Sequence, residues 1–159
     1  MINFVVGNLF ESDAFALVNT VNCEGYMGKG IAYQFKLRYP NMNAEYVKEC
    51  RAHRLQPGIL FSYPENSKLI VNFPTKNKWR EKSKMEYIVS GLDALIDLIK
   101  EKHITSIAIP PLGSGNGGLN WNEVKQVIIQ KLSCFDDDVE IYIYEPSTNY
   151  QAIPVAEPQ

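Results

Sequence analysis

Cysteine and histidine are both scarce in this sequence, and their scarcity excludes whole classes of chemistry. The 159 residues hold three cysteines and two histidines. Cys23, Cys50 and Cys134 are odd in number and show no C-x-x-C spacing. Disulfide frameworks and structural zinc sites need such pairs, so neither is expected, nor is a metal ion or other cofactor. Three reduced thiols suit a reducing compartment, and the expected location is the cytoplasm. His53 and His103 stand apart with no ligand spacing, and no G-x-S-x-G segment is present. A Cys/His or serine-nucleophile constellation is therefore not readable. Long apolar runs are missing too. The opening "MINFVVGNLFESD" has no basic leader and only a short apolar stretch. Neither a signal peptide nor a membrane span is expected there. Nor is there an excess of one charge: 16 basic and 18 acidic residues leave a net charge of -2. The chain as a whole is no indiscriminate binder of nucleic acid, and any phosphate affinity must come from local placement.

What the sequence does contain is an alternation of apolar strands and amphipathic helices, long enough for one domain with a sizeable core. The stretches 2–6, 15–21, 58–63, 68–73, 105–111 and 139–144 read as strands. Pro64-Glu65-Asn66 marks a turn between the third and fourth. A helix is predicted from Gly28, with Ile31, Phe35 and Tyr39 on one face and Pro40 closing it. A further helix is predicted over 41–53. Ser83-x-x-Glu86 has the spacing of a capping box, ahead of a stripe formed by Ile88, Leu92, Leu95, Ile96 and Ile99. Asn120-x-x-Glu123 repeats that spacing and opens a helix through Leu132. The implied fold class is α/β, a three-layer α/β/α sandwich around a mixed, mostly parallel sheet. The domain is expected to span residues 1–146. Residues 147–159, polar and Pro-containing, read as a tail or the start of a linker.

Two glycine-rich turns follow apolar strands and precede helices: "VNTVNCEGYMGKGIA" and "PPLGSGNGGLNW". Backbone N–H groups in such turns, beside a helix N-terminus, can hold phosphate oxygens. Two of them suggest a ligand carrying a diphosphate, bound at the carboxyl ends of the strands. Gly113, Gly115 and Gly118 satisfy G-x-G-x-x-G, yet too little chain follows for a dinucleotide fold. Gly28-Lys29-Gly30 lacks the spacing of a P-loop. Asn19 and Asn22 fall where a strand ends. They serve either as turn and cap residues or as carboxamide partners for a ribose hydroxyl pair. Cys23 beside them reads as a packed small residue. The run "NFPTKNKWREKSK" sets Lys76, Lys78, Arg80, Lys82 and Lys84 at alternate positions around Trp79. Such a run is usually a solvated charged strand or loop; the other readings are a nucleic-acid contact and the cover for one reactive lysine.

The segments "GNLFESDAFALVNTVNCEGYMGKGIA", "NFPTK" followed by "WR", and "IAIPPLGSGNGGLNW" resemble, in this order, the macrodomain family. Within that family they look like the DarG branch, whose macrodomains remove ADP-ribose attached to DNA bases by the toxin DarT. A related branch removes terminal ADP-ribose from proteins. The resemblance implies bound ADP-ribose, with ADP-ribosylated DNA as substrate and a DarT-like toxin as partner. It implies that Gly28, Lys29, Gly30, Ile31 and Ala32, with Pro111, Leu112, Ser114, Gly115, Asn116, Gly117 and Gly118, surround the diphosphate and distal ribose. Asn22 matches the asparagine on the distal ribose, with Asn19 near it. Asn8, next to Leu9, stands where many macrodomains have an Asp that accepts from the adenine amino group. Tyr144 is the candidate for stacking on adenine.

Lys76 matches the branch's catalytic lysine. Neighbouring cations such as Lys78 or Arg80, with partial burial, would lower its pKa. Lys78, Trp79 and Arg80 become candidate contacts to the DNA strand. One departure is that the protein-directed branch has an acidic residue where this chain has Gly117. That favours the DNA-directed activity over two alternatives, an ADP-ribosyl-protein hydrolase and a binding module without turnover. A monomer that does not touch membranes is expected.

Overall fold

Short apolar stretches rich in Val and Ile pair edge to edge to form the sheet at the centre of the protein. The computed structural model describes residues 1–146. The strands are β1 (Ile2–Val5), β2 (Ala16–Val21), β3 (Phe61–Glu65), β4 (Lys68–Pro74), β5 (Ser106–Ile109) and β6 (Glu140–Tyr144). The helices are α1 (Gly30–Arg38), α2 (Pro40–Arg51), α3 (Met85–Glu101) and α4 (Trp121–Leu132). The spatial strand order is β1-β6-β5-β2-β4-β3. Every neighbouring pair is parallel except β3 with β4. This is the mixed, mostly parallel sheet that the sequence implies.

Side chains alternate across the central strands and separate two apolar layers. Val18, Val71, Phe73, Ile107 and Ile109 pack with Ile88, Leu92 and Leu95 of α3 and with Val124 and Ile128 of α4. Leu17, Ile70 and Ala108 pack with Phe35 of α1 and with Met42 and Tyr46 of α2. Helices thus cover both faces, as continuous apolar strands require. No helix among the described residues is long and apolar enough to cross a membrane.

Several local expectations need correction. Pro40 opens α2 instead of merely closing α1, since its missing N–H costs nothing at a first helical position. The break falls at Tyr39, held at φ -131° and ψ 69°. Pro64 and Glu65 extend β3, opposite Leu69 and Lys68. An edge strand tolerates the proline. The turn itself is Asn66-Ser67, with φ of 52° and 65°. This is the left-handed pair that a two-residue hairpin requires. Glu65 then accepts the Met42 N–H at 2.7 Å, at the N-terminal end of α2. Gly58, Ile59 and Leu60 fall before β3, and Pro110 and Pro111 fall after β5. Asn120 does cap its helix, its Oδ1 accepting the Glu123 N–H at 3.2 Å. Ser83 caps nothing: α3 follows Lys84 without a side-chain cap bond. The predicted tail, 147–159, lies outside the described residues.

Candidate functional site

The strand order decides where the site lies. β2 sits between β5 and β4, and all three run in the same direction. The first glycine turn leaves the carboxyl end of β2, the second follows β5, and the lysine segment leaves β4. Their meeting place is an open cavity of about 680 Å³. Its wall is formed by Thr20 and Val21 at the end of β2 and, after it, by Asn22, Tyr26 and residues 28–32. After β4 it continues through Thr75, Lys76, Trp79, Arg80 and Ser83. After β5 it is completed by Pro110, Pro111, Gly113, Ser114, Asn116 and Gly117.

Backbone hydrogen bonds fasten the lysine segment to the first turn. Thr75 N–H donates to the Val21 carbonyl at 3.0 Å, and Cys23 N–H donates to the Asn77 carbonyl at 2.9 Å. Lys76 lies between these two clamps and is half-buried. Burial, and then the positive charge of Lys29, hold its ammonium pKa below the ordinary lysine value. The neighbouring cation is therefore Lys29, across the cavity wall, and not the expected Lys78 or Arg80. Cys23 packs behind the segment. Burial, with Cys50 and Glu24 nearby, pushes its thiol up to about 12, so it stays protonated.

Asn22 is almost fully buried and knits the first turn together. Its Nδ2 donates to the Tyr26 carbonyl at 2.7 Å, and its Oδ1 accepts the Glu24 N–H at 2.9 Å. The Tyr46 hydroxyl lies 2.7 Å from its backbone oxygen. In the second turn, Gly113 has φ of 68°, and a Cβ there would lie 2.7 Å from Leu119 Cδ1. Both the backbone and the space require glycine at that position.

Not every expected residue reaches the wall. Asn19 lies inside β2, not at its end, fully buried with its Nδ2 donating to Asn72 Oδ1 at 3.0 Å. Leu112 is fully buried in the core. Gly115 and Gly118 belong to the second turn without lining the cavity. Asn8 caps a 3-10 turn, Leu9–Glu11, accepting the Phe10 N–H at 3.0 Å. Leu9 is buried, and Tyr144 packs against the same apolar layer. Lys78 is exposed and lines a second cleft with Glu24 and His53.

Sequence reading missed Thr20, Val21, Tyr26, Thr75, Ser83, Pro110 and Gly113 as wall residues. Tyr26 stands inside the first glycine turn, an exposed aromatic between glycines, and that was its signal. Its ring meets the edge of Trp79 at 6.4 Å, and the Arg80 guanidinium lies 4.8 Å over the Trp79 ring. Glu24 accepts the Trp79 N–H at 2.9 Å and holds this aromatic rim in place.

Residues 18–128 match the family described as Macro domain. The chain belongs to the macrodomain family. This macrodomain is 48% identical over 156 residues to the DNA ADP-ribosyl glycohydrolase of Thermus aquaticus, a match covering 96% of the chain and 43% of that relative. It is similar to the solved macrodomain of Mycobacterium tuberculosis DarG, with TM-score 0.90 and 48% identity over 92% of this chain and 99% of that one. It also resembles Thermosipho africanus DarTG in complex with ADP-ribose, with TM-score 0.81 and 29% identity over 93% of this chain and 44% of that one. The macrodomain spans less than half the length of the DNA ADP-ribosyl glycohydrolases it matches.

Proposed function

We propose that this macrodomain hydrolyses the bond between ADP-ribose and a nucleobase of DNA, assisted by Lys76. The observation that carries this reading is the position of Lys76. A half-buried amine of lowered pKa lines one cavity with two glycine turns suited to a diphosphate. The names of relatives at 47–48% identity support DNA as the carrier of the modification.

In the reaction, the bond from the anomeric carbon to the base nitrogen breaks through an oxocarbenium-like transition state. The electron pair stays on the base nitrogen, which takes up a proton. Water supplies the oxygen that ends on the anomeric carbon. The Lys76 amine takes the proton of that water, or bonds the anomeric carbon first and is then released by water. Both routes need the neutral amine, and a lowered pKa enlarges its share at neutral pH. In this reading the turns at 28–32 and 111–118 surround the diphosphate and distal ribose, with Asn22 near that ribose. The adenine end extends toward Asn8, Leu9 and Tyr144, beside the neighbouring ends of β1 and β6. The Tyr26–Trp79–Arg80 rim, with Lys78 outside it, meets the DNA strand.

The reading extends to a monomer acting in the cytoplasm and reversing a DarT-like transferase. A Thermosipho africanus relative named as a fusion of DNA ADP-ribosyl transferase and DNA ADP-ribosyl glycohydrolase supports such a pairing. The test is release of ADP-ribose from an oligonucleotide bearing ADP-ribosylated thymidine, with an ADP-ribosylated protein as comparator. The wild type is expected to release it from the oligonucleotide. Lys76→Ala is expected to lose about 10²-fold or more in rate while still binding ADP-ribose. Full activity in Lys76→Ala, or wild-type turnover on the protein alone, would overturn the proposal.

A further inference from the structure

Ser83 has no role in the fold that explains its burial. It is 5% exposed, and its Oγ has no hydrogen-bond partner among the described residues. It does not cap α3, which has no side-chain cap bond. An unpaired buried hydroxyl lowers stability unless something else supplies its partner. Yet Ser83 lines the cavity with Lys76 and Gly117. Its backbone N–H donates to the Gly117 carbonyl at 3.0 Å, tying the segment before α3 to the second glycine turn.

The same contact explains the residue at 117. Gly117 does not adopt a left-handed φ, so its backbone would accept a side chain. The obstacle is Ser83. A Cβ at 117 would lie 3.0 Å from the Ser83 Cβ and closer still to its Oγ.

We propose that Ser83 is a ligand-contacting residue of this site. Its hydroxyl, shut against Gly117 in this structure, turns about the Cα–Cβ bond into the cavity to donate to an oxygen of the bound ADP-ribosyl group, and its bulk is what holds position 117 as glycine. The diphosphate and ribose present acceptor oxygens throughout, which suits a single donor with no partner in the protein. This inference rests on the ADP-ribose reading above.

Calorimetry with ADP-ribose and ligand-free melting of the same proteins test it. Ser83→Ala is expected to bind roughly tenfold more weakly, the effect of one hydrogen bond. Its ligand-free melting temperature should hold or rise, because the substitution deletes an unpaired buried hydroxyl. Equal affinity of Ser83→Ala and wild type overturns the contact. So does a fall in the ligand-free melting temperature, which assigns the serine to the fold. Gly117→Ala should melt lower than wild type, and Ser83→Gly in that background should recover most of the loss. If Gly117→Ala melts like wild type, the steric half is overturned. If the wild type fails to bind ADP-ribose, the functional reading and the contact fall together. The melting pair still decides the link between Ser83 and Gly117.

Discussion

Lys76 and Lys29 come from different turns and share one cavity wall, and their charges are coupled. A rate that needs the neutral Lys76 amine rises with pH until that amine is fully deprotonated. The ascending limb of kcat/KM should therefore lie below the ordinary lysine range. Replacing Lys29 by Gln removes a positive neighbour, so protonated Lys76 becomes less unfavourable and its pKa climbs. The limb should move to higher pH in Lys29→Gln, but not the whole way to a free lysine, because burial is the larger cause. An unmoved limb in a pH–rate profile would remove Lys29 from this role. At this scale Lys76 stood out from the charged run through the resemblance to the macrodomain family, the run alone leaving its role open. The sequence could not expose Lys29 as the partner, because the nearer cations in sequence, Lys78 and Arg80, point to the wrong neighbour.

Helix α3 is held to β4 by a contact that pattern reading passes over. Gly91 faces the Phe73 ring, and a Cβ at 91 would lie 2.5 Å from Phe73 Cε1. Alanine is the better helix former by about 1 kcal/mol. Overpacking a filled core costs about 1–3 kcal/mol, and a ring buried in the sheet layer has little room to yield. Gly91→Ala should therefore destabilise the protein by about 1–2 kcal/mol in urea unfolding. Phe73→Leu in the same background should regain part of that. Elements were largely legible in the sequence: the α3 stripe declares itself through helical spacing, with Ile88, Leu92, Leu95 and Ile99 all buried. The two S/N-x-x-E signals were less dependable. Asn120 directly precedes its helix and caps it, whereas Ser83 lies one residue too early and its N–H is already engaged by Gly117.

Over the whole molecule, the net charge of -2 gives no overall attraction to nucleic acid. Affinity for modified DNA should come from the ADP-ribosyl group in the cavity, with a few phosphates met at the rim. Unmodified single strands should bind weakly. If Lys78 and Arg80 each meet one phosphate, log K for the modified strand should fall with log salt at a slope of roughly -1.4. The double substitution to alanine should flatten that slope, and a much steeper wild-type slope would contradict the rim assignment. The order of strands and helices, the two glycine turns and the lysine after β4 were all determined by the sequence itself. Periodicity and turn chemistry are properties of neighbouring residues, readable without knowing the fold. Which turns meet was decided only by the tertiary structure. Placing β2 between β5 and β4 brings Lys29 to Lys76, Tyr26 to Trp79 and Ser83 to Gly117. These partners are distant in the chain, and only the packing of the sheet and its connections gives them a common surface.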